Sequence, residues 1–118
     1  MNEDTFAEIE LRRGAVRVTA ADLEQIKVAL AQALSEQESP DFAPLLAELD
    51  DSACMILSDG TARIGGWKLK PDATGQSLLL EHQPAQRSAA MLFYIARLQF
   101  HEGRWSVPEV TIRKVRGR

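Results

Sequence analysis

Two histidines, one cysteine and a few clustered carboxylates are the residues of this 118-residue chain with types suited to chemistry. His82 follows Glu81, and His101 precedes Glu102. An imidazole oriented by a carboxylate is a general base, but neighbours along a strand point to opposite faces, so neither adjacent carboxylate is placed to hold its ring. His82 and His101 could meet across paired strands, yet two imidazoles without a spaced third ligand make no metal site. Cys54 lies in the apolar run "ACMIL" and reads as a small core hydrophobe; a reactive thiol needs exposure and a nearby cation. Asp50, Asp51 and Asp59 crowd one region at a spacing that fits no oxygen-ligand loop. There is no Gly-x-Ser-x-Gly elbow, and "DGTARIGG" is neither a dinucleotide fingerprint nor a P-loop. The chain therefore offers no catalytic residue, and its motifs call for no metal and no cofactor.

The other chemistry to weigh is attraction to an anion. "RKVRGR" puts Arg113, Lys114, Arg116 and Arg118 within six residues, and Arg63, Lys68 and Lys70 join them if their strand lies nearby. With Trp67 and Trp105 as stacking surfaces, such a set can bind single-stranded nucleic acid. The net charge of −3 weakens that attraction, and nucleic acid ranks as a lesser alternative. The −3 also hides a division. Residues 1–60 hold four Lys/Arg against thirteen Asp/Glu, a balance of −9, and residues 61–118 hold ten against four, a balance of +6. Halves that pack together with complementary charge are the preferred explanation, ahead of an anionic partner.

What must position these groups is a single domain, since 118 residues can bury a core without staples. "EIELRRGAVRVT" alternates twice around Arg12-Arg13-Gly14 and reads as a hairpin; a short helix over 3–13 is the competing reading. "VTAADLEQIKVALAQALSEQ" is a helix capped by Thr19 with Asp22 three residues on. Leu23, Ile26, Leu30, Ala33 and Leu34 form its buried stripe. A second, short helix follows in "SPDFAPLLAELDD", with Asp41 as cap and Pro44 in the first turn. From Asp51 onward, five apolar runs separated by turn residues read as an antiparallel meander. Gly65-Gly66 reads as a bulge or a close backbone approach, and Pro108 as an edge or a second bulge.

The run 89–98 is apolar at nine of its ten positions. Phe93, Tyr94, Ile95 and Phe100 favour a strand, with Ala90, Leu92, Tyr94, Ala96, Leu98 and Phe100 on one face and Met91, Phe93, Ile95 and Arg97 on the other. An antiparallel sheet with one wet face should alternate cleanly, so this strand needs cover on both sides. The long helix supplies one cover. The second helix, the hairpin or a second copy of the chain supplies the other.

Helices followed by a meander ending in "ARLQFHEGRWSVPEVTI" resemble the end of NTF2-like and cystatin-like folds, over roughly residues 92–112. There a long strand, a tight turn and a tryptophan-bearing last strand curve around a helix. The resemblance implies a dimer with a conical apolar pocket for a small molecule, bound or transformed. Trp67, Tyr94 and Trp105 would line it, with His82 and His101 as polar groups. The N-terminal hairpin departs from the usual order of those folds.

The reading is an α+β domain: a meander of about five strands over residues 53–115, packed on one long and one short N-terminal helix behind an N-terminal hairpin. Its expected role is non-enzymatic protein interaction, as a homodimer or with another protein, through Met91, Phe93, Ile95 and Arg97. No apolar run approaches the ~20 residues that span a bilayer, and the acidic N-terminus lacks a secretory h-region, so the cytoplasm is the expected location and no membrane partner is expected.

Overall fold

A computed structural model describes residues 6–37, 42–82 and 90–116, with side chains at 6–37, 42–82 and 93–112. The fold is α+β. A hairpin of β1 (Phe6–Leu11) and β2 (Gly14–Thr19) leads into α1 (Ala20–Glu36) and α2 (Ala43–Asp50). Six strands follow: β3 (Cys54–Ile56), β4 (Ala62–Ile64), β5 (Trp67–Pro71), β6 (Leu78–His82), β7 (Ala90–His101) and β8 (Arg104–Arg116). They form one antiparallel sheet in sequence order, separate from the two-stranded hairpin.

The hairpin closes with Leu11 opposite Gly14, and Gly14 takes φ 122°, open to glycine without strain. Thr19 then ends β2 and begins α1. Its backbone N–H donates to Asp22 Oδ2 at 2.8 Å, and its hydroxyl accepts from the Asp22 N–H at 3.2 Å, a complete capping box. The buried stripe of α1 is Leu23, Ile26, Leu30, Ala33 and Leu34, as its periodicity requires. Pro44 stands in the first turn of α2, whose cap position is Phe42; the expected cap, Asp41, lies outside the described residues.

The meander has six strands rather than five because Gly65-Gly66 is a turn, not a bulge. Ile64 pairs with Trp67, and Gly65 takes φ 58° at the first turn position. Pro108 does mark a bulge on an edge strand. Arg97 pairs with Glu109 and Gln99 with Ser106, so Leu98 faces both Val107 and Pro108.

Cover over the strand 90–101 differs from expectation. Phe42 of the α2 cap meets Tyr94 edge-on with centroids 6.1 Å apart, which puts α2 on the inner face. Ala7 and Val18 of the hairpin are fully buried in the same core as Leu78, Leu80 and Leu98. The Arg12 N–H donates to the Gly75 carbonyl at 2.8 Å, fastening the hairpin tip to the loop before β6. Both helices and the hairpin therefore lie on one side, and the sheet curves so that α1 touches both end strands, β3 and β8. Among the described residues neither a helix nor the hairpin lies on the outer face, and only the loop after β5, through Asp72, Ala73 and Thr74, reaches the groove beside Leu79 and Ile95.

Candidate functional site

The expected pocket residues divide into two groups at opposite ends of the inner face. Trp67 and Tyr94 flank His82, with centroids 5.2 and 6.0 Å from its ring. Register explains it, since His82 pairs with Trp67 on one side and Tyr94 on the other. His82 is 6% exposed, and its Nε2 lies 3.3 Å from Glu48 Oε1 of α2, which takes the N–H of that nitrogen. The carboxylate beside it in sequence, Glu81, points the other way and bridges Lys70 at 3.2 Å. His82 Nδ1 is buried with no hydrogen-bond partner. Trp67, His82 and Tyr94 are all buried, at 1%, 6% and 8% exposure. These side chains pack on one another and on Gly66, whose added Cβ would stand 2.8 Å from His82 Nε2.

Trp105 belongs to the second group. Its Nε1–H donates to Asp22 Oδ1 at 3.2 Å and its backbone N–H to Gln25 Oε1 at 3.1 Å, which ties the β7–β8 hairpin to the first turn of α1. Phe100 stacks on it at 4.8 Å and stays 56% exposed. His101 is exposed, 3.9 Å from Glu102 in the tip of the same hairpin. The two histidines do not approach each other: β6 meets β7 with His82 at Tyr94, seven residues or about 23 Å along the strand from His101. Among the described residues, no three His, Cys, Asp or Glu side chains gather as metal ligands.

The outer face carries the expected interface residues. Phe93 and Ile95 are half-buried and Arg97 is exposed. Met91 pairs with Val115, but its side chain lies outside the described residues. Leu79 and Glu109, which the sequence reading passed over, complete the patch. Leu79 and Glu109 sit opposite Arg97 on either side, and a groove of about 360 Å³ runs between Leu79, Ile95, Arg97 and Glu109 beneath Thr74. Strand parity was the available signal for Leu79, since three successive leucines in "SLLLEH" cannot share one face.

Of the expected nucleic-acid residues, Arg113, Lys114 and Arg116 fall on β8 opposite Phe93, Leu92 and Ala90; their side chains, and Arg118 altogether, lie outside the described residues. Arg63 and Lys68 are register partners on the outer face, with Lys70 two residues on; Lys68 and Lys70 on β5 lie three strand spacings (about 14 Å) from β8, and Arg63 on β4 lies four (about 19 Å). Trp67 and Trp105, 1% and 8% exposed, are core residues and offer no stacking platform.

Few ion pairs join the two charged halves. Among the described residues the sole bridge between them is His82 with Glu48. The helices carry Glu24, Glu36, Glu48, Asp50 and Asp51 with Lys27, whereas the outer sheet face mixes Arg63, Lys68, Lys70 and Arg97 with Glu81 and Glu109, and Asp72 lines its groove. No helix of the described residues is long and apolar enough to cross a membrane. No family model, no curated protein and no solved structure matches the chain.

Proposed function

We propose that this chain is an assembly domain that self-associates through the outer face of its six-stranded sheet. The observation carrying this reading is the one-sidedness of the cover: both helices and the hairpin lie inside, while Leu79, Phe93 and Ile95 form an apolar, partly exposed centre between charged side chains on the outer face. A solvated face of an antiparallel sheet is ordinarily polar at its middle. Fully burying such a side chain is worth about 1.5–3 kcal/mol, and only the minor part of each that is still exposed remains to be gained here. Three of them per face support weak, concentration-dependent association rather than an obligate oligomer.

Light scattering coupled to size exclusion tests it. The weight-average mass should rise above 13.1 kDa with concentration and stay there for Ile95→Glu. A wild-type mass that remains monomeric into the millimolar range ends the proposal. The pocket and nucleic-acid alternatives gain no comparable observation, since the aromatic residues both rely on are packed into the core.

A further inference from the structure

We infer that a gap in the sheet, where β6 falls short of β7, receives an extended peptide of a partner protein that pairs with Phe100 and buries one apolar side chain. The gap follows from register. β7 runs to His101, but its register pairing with β6 stops at Leu79 opposite Arg97, and beyond that point it continues only with β8. Glu102 and Gly103 form a two-residue turn, so His101 and Arg104 are the hydrogen-bonded pair that closes the hairpin. Phe100 and Trp105 are then a wide pair, whose backbone N–H and C=O groups point away from each other. The Trp105 N–H follows this parity, donating outward to Gln25 Oε1 at 3.1 Å. The matching groups of Phe100 point into the gap, where no strand of the described residues meets them. Gln76 does not take the place, because its own N–H turns back to Asp72 Oδ1 at 3.2 Å. An open stretch of sheet edge is a template for another chain.

Grooves on the two faces of the gap match the alternation of a strand. On the inner face, beside Leu98 and Phe100, a groove of about 300 Å³ has Leu11, Val16, Leu78 and Trp105 among its walls. Its other side chains, Gln76, Ser77 and Gln99, are uncharged, so it accepts an apolar side chain and rejects an ionised one. On the outer face a second groove is bordered by Arg97 and Glu109, and Ser77, Leu98 and Gln99 line both. A partner residue opposite Phe100 makes two backbone hydrogen bonds and sends its side chain to the inner groove, against the Phe100 ring, which is 56% exposed. The residues before and after it face Arg97 and Glu109, and are therefore polar. Backbone pairing supplies affinity in such a complex, and the groove supplies the choice of side chain. This site does not depend on the self-association proposed above.

Amide hydrogen exchange and a peptide titration, both read by NMR on the full chain, test it. In dilute protein alone the Phe100 amide should exchange about tenfold or more faster than those of Gln99 and His101, which are bonded to β8. Adding the capped peptide acetyl-STFTS-amide should protect the Phe100 amide and shift the resonances of Leu11, Val16 and Gln99. N-methylation at the central residue of the peptide should weaken binding about tenfold by removing one backbone donor. Acetyl-STDTS-amide, which presents a carboxylate to the groove, should not bind. A Phe100 amide as slow as its neighbours in dilute protein means the gap is already closed, and overturns the inference. Protection that grows with protein concentration alone assigns the gap to a second copy, and equal binding of the N-methylated peptide assigns the groove to a side chain without a strand. Either result overturns it, as does a parent peptide that fails to bind up to its solubility limit.

Discussion

Gly66 lacks a side chain at the one place where the His82 ring presses on the backbone, 2.8 Å from where a Cβ would stand. That ring is buried and wedged between Trp67 and Tyr94, so it cannot yield cheaply. Gly66→Ala should therefore cost about 1–3 kcal/mol in a denaturant melt, by overpacking. A neutral result would mean the ring moves freely, against the packing described. Cys54 makes a second point at this scale. Its burial first, and then the nearby Glu24 carboxylate, push its thiol up to about 11. At pH 8 it should react with iodoacetamide roughly a hundredfold more slowly than free cysteine, with the rate climbing as pH approaches 11. Reaction at the free-thiol rate at pH 8 would contradict that environment. The inert cysteine was legible in "ACMIL"; the Gly66–His82–Glu48 contact was not, because its members are 16 to 34 residues apart in the chain.

Elements in this domain are joined by a few polar ties. Asp22 closes the capping box of α1 and also accepts the Trp105 indole N–H. Asp22→Ala removes both, and should lower stability by about 1–3 kcal/mol, whereas Asp22→Asn, which keeps acceptors, should lose less. Equal losses would deny the cap its role. The tip of the β7–β8 hairpin carries a local cost: Glu102 and Gly103 take φ 52° and 78°, the positive pair of a type I′ turn. Asn tolerates that region better, so Glu102→Asn should raise Tm, worth about 0.5–1 kcal/mol. The loop before β6 is held differently. The Thr74 hydroxyl bond to Asp72 holds that carboxyl below its usual range, so the loop's contribution is full above the unfolded carboxylate range and fades as pH falls through the lower folded value. Amide resonances of Thr74 and Gln76 should shift along with the Asp72 carboxyl titration.

At the scale of the molecule, self-association through the outer sheet face has a thermodynamic signature. Concentration should then matter to stability as well as to mass. A folded chain that associates and an unfolded chain that does not give a Tm rising with protein concentration. A Tm constant over a hundredfold range of concentration would argue for a molecule that works alone.

The sequence by itself determined the local elements. Thr19-x-x-Asp22 set the helix start, the 3.6-residue spacing set its buried stripe, and Gly14 and Glu102-Gly103 set the hairpins, because each depends on residues within one or two turns of chain. It also indicated that residues 89–98 would be extended and apolar on both faces. Tertiary structure alone decided where the cover went and which carboxylate met His82. Those outcomes turn on how short connections route helices over one side of a curved sheet, and register among distant strands is not written into any single segment.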